Sequence, residues 1–504
     1  MSYMKNLLFI LFCFPFFSIA QTNDKNYTLD RIMINFPEWD NYIKMVDKDI
    51  SLALYKRRTN IEQVALLKYY QNDSLIYESA IYLRLSGNAS RKLPQKSIAI
   101  KIIEDTLIPN KFIYNLFPSR EFNQIEEFVI RAHGNTLKKT FFNDAIANSS
   151  LFKHTDLEFS AYRPIVLYIN EEYKGLYNIR EKKDKDVIAN AHNILKEDIE
   201  LFTLVNNIPD PSNTAWDSLI KYCSNNDLSQ EDSYQYVSRL VDVDNFIDYN
   251  IAECFFSNTD WPRTNVKIWR PNNGKFRFMF FDCDRGMIST TFNQLEHITG
   301  QDQWAKMRGD KKIDLQLTRN TILVRELSKN KNFCKQFAIR YQDLLNTAFT
   351  TETMHGYIKN AKKLIDGEIN NHINIWGDSD SFNSVKSYEH WIKNINILKQ
   401  FFVRRPSIEF QHLQEKWVFG DLVDLEIAVN DARYGSLQIN TINALQYDFQ
   451  GKFLNKLPIT LEAIPRSGYK FDYWEGVDSK KTKVIFQPYN IISSKITAHF
   501  KLID

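Results

Sequence analysis

Glycine and proline are scarce, 15 and 14 of 504 residues, which excludes collagen-like, linker-rich and extensively disordered architectures. An excess of one charge is also lacking. Lys+Arg number 64 against 61 Asp+Glu, and a net charge of +3 is too balanced for general nucleic-acid or anionic-membrane binding. Nothing repeats along the length, against a solenoid or propeller. Cysteine is sparse as well: beyond Cys13 there are Cys223, Cys254, Cys283 and Cys334, too few for a disulfide scaffold. Cys254 and Cys283 both lie in apolar strings, which leaves a bridge between them open. No CxxC, HExxH or Cys/His cluster suggests zinc, and no G-x-G-x-x-G loop is present.

What is there begins with an address label. Lys5 precedes the apolar run Leu7 to Phe17, then Ser18-Ile19-Ala20, the pattern of a cleaved secretory signal over residues 1–20. No other apolar run is long enough to span a bilayer, so the expectation is an exported chain, periplasmic, cell-surface or secreted, with no membrane span after cleavage. At roughly 100–200 residues per domain, the length suggests two to four domains.

Ile81 to Leu85 and Lys96 to Ile102 alternate as strands around the turn Ser86 to Ser90, and Phe128-Val129-Ile130-Arg131 reads as another strand. Leu137 to Phe152 has helical spacing. Ile165 to Ile169 and Leu176 to Ile179 form a hairpin around Asn170 to Gly175. Helical composition follows from about 245, interrupted by a second hairpin, Val266 to Trp269 and Lys275 to Phe281, joined by Pro271-Asn272-Asn273-Gly274. Amphipathic helices run from about 313 to 417. The last eighty residues switch to short strands separated by Gly and Pro. The fold class is α+β, with a small all-β domain at the end.

Chemistry concentrates in Asn258-Thr259-Asp260-Trp261-Pro262-Arg263-Thr264-Asn265, followed by the hairpin and Phe281-Asp282-Cys283-Asp284-Arg285-Gly286. Phosphoryl transfer from ATP needs a carboxylate to orient the nucleophilic hydroxyl, and a carboxamide and a second acid to hold a divalent metal. Protein kinases arrange these as Asp-x-x-x-x-Asn, a short hairpin, then Asp-x-Gly. Asp260 and Asn265 have that spacing. Asp282 and Asp284 alternate onto one side opposite Cys283, and their mutual repulsion invites a cation. Upstream, Lys96 or Lys101 on a strand, Asp144 on the next helix and Glu181 at the end of a hairpin fit the nucleotide-facing half of the same plan. The cluster of Trp261, Trp269 and Phe280 reads as core packing.

These residues resemble the CotH family of spore-coat protein kinases. The matching segments are Leu83 to Ser97 (LRLSGNASRKLPQKS), Leu167 to Tyr177 (LYINEEYKGLY) with Glu181 after it, Asn258-Thr259-Asp260-Trp261, Asn265, and Phe281 to Asp284, together spanning roughly residues 35–420. The resemblance implies an atypical, two-lobed kinase fold over residues 21–424, with an N-lobe of about 35–182 and a C-lobe of about 183–424. It implies transfer of the ATP γ-phosphate to Ser or Thr of an extracytoplasmic protein. Lys96, Arg91, Glu181 and Asp144 would surround the nucleotide, Asp260 would be catalytic, and Asn265, Asp282 and Asp284 would hold Mg²⁺ or Mn²⁺. Residues 425–504 resemble the InlB-type B-repeat of bacterial surface proteins, through Gly451-Lys452-Phe453, Ile459 to Pro465, Gly468 to Phe471, Trp474-Glu475-Gly476 and Ala498-His499-Phe500. That implies an accessory unit offering a surface to a cell-surface partner. Two other readings stand beside the kinase: a non-catalytic surface-binding protein on a degenerate kinase fold, and a metal-dependent glycosyltransferase using Asp282-Cys283-Asp284 as a D-x-D.

Overall fold

The structure is a computed structural model that describes residues 29–51, 61–87, 89–103, 112–113, 116–117, 120, 124–132, 140–204, 214–300, 319–379, 384–445, 448–490 and 493–503. The expected signal segment lies outside them. So does the first part of the helix expected from Leu137; the described helix there is Asn143–Leu151.

Period-2 alternation builds the first body. Strands β1 (Asp30–Asn35), β2 (Gln63–Gln71), β3 (Ser74–Ser86), β4 (Ser97–Ile102), β7 (Glu127–Arg131), β8 (Tyr162–Ile169) and β9 (Glu172–Glu181) close into a barrel in the order β1-β2-β3-β4-β7-β9-β8. Two-residue strands β5 (Phe112–Ile113) and β6 (Gln124–Ile125) pair beside it. All barrel pairs are antiparallel except β1 with β8, which closes the cylinder in parallel register from Asp30 opposite Ile165 to Ile34 opposite Ile169. Ile81, Leu83, Leu85, Ile98, Ile100, Phe128, Ile130, Ile165, Leu167 and Ile179 fill the interior. In a strand the neighbours of inward residues point outward. Arg131 follows Ile130, and Arg180 follows Ile179, so both leave the barrel on its outer side. The β8–β9 hairpin turns through Asn170 and Glu171 at φ 50° and 67°. Gly175 in β9 has φ +94°, and a Cβ there would lie 2.7 Å from His372 Nδ1. Only glycine lets the helix Ile369–Trp376 close onto the barrel, where Leu176 N donates to His372 Nδ1 at 3.0 Å.

A second, separate core is helical, drawn chiefly from Thr214–Asn225, Val243–Phe256, Lys331–Leu345, Thr351–Ile365 and the 29-residue Tyr388–Lys416. Trp261 and Phe280 are buried in it, while Trp269 packs in a smaller cluster with Ile188, Ile199, Met279 and Phe281. The expected second hairpin is present: β11 (Val266–Pro271) pairs β12 (Arg277–Met279), and β10 (Ile199–Leu204) adds a third strand. Arg405 ties Tyr388–Lys416 to the end of Val243–Phe256 and to the segment from Thr290 to Phe292. Fully buried, it donates to the carbonyls of Cys254 at 2.6 Å, Phe255 at 3.0 Å, Thr290 at 2.7 Å and Phe292 at 3.0 Å, and pairs with Glu409. Two of those carbonyls belong to the last turn of a helix, where intrahelical partners run out. Cys223, Cys254, Cys283 and Cys334 are all free and buried, so Cys254 and Cys283 form no bridge.

The long helix ends at Lys416, and strands begin at Leu422. Strands β13 (Leu422–Val429), β14 (Gly435–Ile439), β15 (Ile442–Leu445), β16 (Phe449–Leu454), β17 (Ile459–Pro465), β18 (Tyr469–Glu475), β19 (Lys483–Phe486) and β20 (Lys495–Leu502) make two four-stranded sheets. Their orders are β16-β13-β20-β18 and β15-β14-β17-β19, around a third core containing Ile427, Leu437, Phe453, Leu461, Trp474 and Phe500. Buried Asp343, on the helix Lys331–Leu345, fastens this unit. It accepts from Asn440 Nδ2 at 3.0 Å, Thr441 N at 3.0 Å and Thr441 Oγ1 at 2.7 Å. Among the described residues no helix is long and apolar enough to cross a membrane.

Candidate active site

The loop after Val243–Phe256 is held from beneath. Ser257 breaks the helix at φ +50°, Asn258 Nδ2 donates to Glu253 Oε2 at 2.9 Å, and Asn258 Oδ1 accepts from Asp260 N at 3.4 Å. Trp261 Nε1 donates to Tyr249 OH at 2.7 Å. With its backbone fixed on both sides, Asp260 presents a partly exposed carboxylate 3.3 Å from Arg285 Nε. Burial pushes the Asp260 carboxyl up, Arg285 pulls it down, and the charge of Asp282 adds to the rise. Glu253, fully buried under the loop, is driven far above the ordinary carboxylate range by burial.

Asp282-Cys283-Asp284 lies against this loop: Thr259 Oγ1 donates to the Arg285 carbonyl at 3.0 Å, and Asn265 Nδ2 approaches the Asp282 carbonyl at 3.5 Å. Asn265 and Asp282 both have φ +61°, a left-handed backbone that Asn and Asp tolerate better than most residues and that is a frequent mark of functional loops. Cys283 is wholly buried while the flanking acids face the same cation. Arg131 Nη2 donates to Asp282 Oδ1 and, at 3.1 Å, to Asp284 Oδ2. Burial, the largest single influence, would raise the Asp282 carboxyl, but the charges of Arg131, Lys183 and Arg180 and the Arg131 hydrogen bond together outweigh it and hold it down at about 2. From the other side Asp144, in the first turn of Asn143–Leu151, accepts from Cys283 N at 2.7 Å and pairs with Arg180. Three acids, Asp144, Asp282 and Asp284, are thus set among Arg131, Arg180 and Lys183.

The residues read from sequence divide accordingly. Asp144, Asp260, Asn265, Asp282 and Asp284 come together. Lys96, Arg91 and Glu181 do not join them. Lys96 Nζ is buried and donates to Asp47 Oδ1 at 2.7 Å and to the Arg91 carbonyl at 2.8 Å, with no hydrogen bond or ion pair to the acids. Arg91 lies beside it in the short helix Ala89–Lys92. Lys101 lies 3.9 Å from Glu127. Glu181 faces neither Arg180 nor Lys182. Its carboxylate takes both arms of Arg120 at 2.8 Å and accepts from Ala161 N at 2.8 Å.

Sequence reasoning missed the cations. Arg131 ends a strand whose alternate residues, Phe128 and Ile130, are core; a charged residue at the outward position next to a helix was the available signal. Arg180 and Lys183 carry the same signal at the end of β9.

The donor set suits a hard divalent ion. Asp282 and Asp284 offer carboxylates, and Asn265 offers a carboxamide oxygen that accepts no hydrogen bond among the described residues. No group of three or more His, Cys, Asp or Glu side chains forms a ready metal centre among the described residues. Mg²⁺, for comparison, takes one or two carboxylates and completes its shell with phosphate and water. Arg131, Asp144, Arg180 and Asp284 line a cavity of about 20 Å³, room for one water or ion. A larger cavity of about 810 Å³ lies elsewhere, between Ile288, Thr290 and the helix Tyr388–Lys416, and contains none of these acids.

A family model described as CotH kinase protein matches residues 83–408, well over half of the chain. A crystal structure described as that of the Golgi casein kinase is similar over 72% of this chain and 77% of its own, at 12% identity and a TM-score of 0.22, an agreement too loose to bear on mechanism. No curated protein matches.

Proposed function

This chain belongs to the family of CotH kinase proteins, and from that premise we propose that it moves the γ-phosphate of ATP onto Ser or Thr of a protein outside the cytoplasm. The N-terminal signal pattern supports the location. The convergence of side chains supports the activity: the barrel supplies Arg131 and Arg180, the helical body supplies Asp260, Asn265, Asp282 and Asp284, and Asp144 bridges them. Such transfer is mainly a matter of placement and charge stabilisation.

Asp260 orients the acceptor hydroxyl and takes its proton, and its upward-shifted carboxyl suits that task. Arg131 Nη2, donating to both, keeps Asp282 and Asp284 together at one separation. Asp144 fixes the peptide between them through Cys283 N. Asn265, Asp282 and Asp284 would hold Mg²⁺ or Mn²⁺, which when bound neutralises charge on the phosphates. The observation that carries the reading is this Arg131 bridge across both acids, within a loop braced by Asp144 and Asn265. The C-terminal sheets we assign to contact with a cell-surface partner.

The test is incorporation of labelled γ-phosphate with Mg²⁺ or Mn²⁺. Asp260→Ala and Asp284→Ala should each cut it by about a hundredfold or more while the fold persists, and full transfer in both refutes the proposal. Thermal stabilisation by UDP-sugars and not by ATP would favour the glycosyltransferase reading. Failure of any nucleotide to bind at millimolar concentration with metal would favour a binding protein.

A further inference from the structure

Among the cations around the acids, all but one are spoken for. Arg131 serves Asp282 and Asp284, Arg180 serves Asp144, and neighbouring Lys182 pairs with Glu127 and Asp184. Lys183 is half-buried, with its ammonium 4.4 Å from the centroid of the Phe281 ring. It meets no hydrogen-bond acceptor and no ion-pair partner among the described residues.

This is no wandering side chain on a loose loop. The Lys183 carbonyl accepts from Lys267 Nζ at 2.6 Å. Asp184 caps the next helix, Lys185–His192, by accepting from Asp186 N at 3.1 Å and Val187 N at 3.4 Å. Glu181, two residues earlier, is locked by Arg120. The ring under the ammonium belongs to the residue just before Asp282, and the Asp282 charge is the strongest attraction Lys183 feels. A half-buried ammonium whose three N–H donors meet no protein acceptor gains when one arrives.

We propose that Lys183, and not Lys96, anchors a phosphate of the nucleoside triphosphate. The assignment rests on the phosphotransferase reading above. The enclosed cavity is too small for a triphosphate, so phosphates drawn to this cluster lie outside it, and Lys183 does not line that cavity. Lys96 has both of its donations satisfied by Asp47 and a carbonyl. Releasing it would break a buried ion pair.

Calorimetric titration of the whole chain with ATP and with adenosine, each with Mg²⁺, separates phosphate from base contacts. Lys183→Met should weaken ATP binding tenfold or more and leave adenosine unaltered, and Lys183→Arg should recover most of the loss. Undiminished ATP binding by Lys183→Met overturns the assignment. A second measurement needs no variant. Burial pulls the Lys183 amine down to about 8, within reach of trace acetylation by acetic anhydride near neutral pH. ATP with Mg²⁺ should protect Lys183 from acetylation and leave the labelling of Lys96 unchanged, as read by peptide mass spectrometry. Protection of Lys96 with Lys183 still labelled overturns the proposal. Absence of saturable ATP binding to the unaltered protein refutes the kinase reading itself, and this assignment with it.

Discussion

Replacing Arg131 with methionine keeps most of the side chain's length and apolar packing and removes the Nη2 that joins Asp282 to Asp284. The three side chains are 21%, 29% and 10% exposed, so the pair is largely shielded from solvent. Breaking a buried pair by deleting one partner costs about 3–5 kcal/mol, and the residual exposure here lowers the expectation to about 2–3 kcal/mol. The Asp282 carboxyl is held at about 2 instead of 3.8, by Arg131 together with Lys183 and Arg180 against the effect of burial. The sign follows from linkage. A depressed folded-state pKa contributes stability that is present above the ordinary value and lost as pH falls from about 4 toward 2. Urea unfolding followed by tryptophan fluorescence should therefore show Arg131→Met less stable at pH 7, with the gap narrowing at pH 3. Millimolar Mg²⁺ should raise the melting temperature of the variant more than that of the unaltered protein. A gap under about 0.5 kcal/mol at pH 7, within the range of an ordinary surface substitution, or one that does not shrink in acid, would refute the reasoning.

Three further outcomes are expected. Asp260→Ala should lower kcat by about 10²–10⁴-fold with ATP affinity almost unmoved, because the carboxylate acts on the acceptor hydroxyl; an unchanged kcat in a single-turnover assay contradicts the role. Because burial drives the Glu253 carboxyl far above the ordinary carboxylate range, isosteric Glu253→Gln should melt within about 2 °C of the parent, whereas a fall above about 5 °C would mean that the carboxylate is ionised. Asp343→Ala leaves the Asn440 and Thr441 donors unsatisfied, which costs about 2–3 kcal/mol, and limited proteolysis should then cut between Lys416 and Leu422. Burial raises the Asp343 carboxyl to about 6, outweighing its three hydrogen bonds, so the docked state binds its proton more tightly than the free one. Protection from cleavage should accordingly strengthen as pH falls from about 6 toward 4 and be lost as pH rises through 6, a trend absent from Asp343→Asn.

The acidic half of the site was readable because it is local. Asp260, Asn265, Asp282 and Asp284 fall within one short stretch, and the spacing of an Asp, an Asn and a hairpin survives in one dimension. Its cationic half was not. Arg131 finds Asp282 and Asp284 across separations of 151 and 153 residues, and no periodicity announces such a meeting. Lys96 looked available on a strand because Asp47, 49 residues upstream, is silent in the pattern. Glu181 looked poised at a hinge for the same reason, its partner Arg120 lying 61 residues back in a stretch without clear periodicity. The strands and the second hairpin followed from alternation and turn residues. Closure into a barrel did not, since the parallel pairing of β1 with β8 depends on two segments more than a hundred residues apart.

That closure bears on how the protein is handled and on what it can meet. An open sheet advertises unpaired amides to any passing chain, and a cylinder advertises none. Cutting the chain at residue 83, where the family match starts, would delete β1, β2 and most of β3. Strands β4 and β8 would then each expose a bare rim, and copies so trimmed should stick to one another edge to edge. Preparations that keep Asp30 onward avoid that fate. A macromolecule recruited to the intact barrel has to be gripped by side chains and connecting loops, not by borrowing a strand.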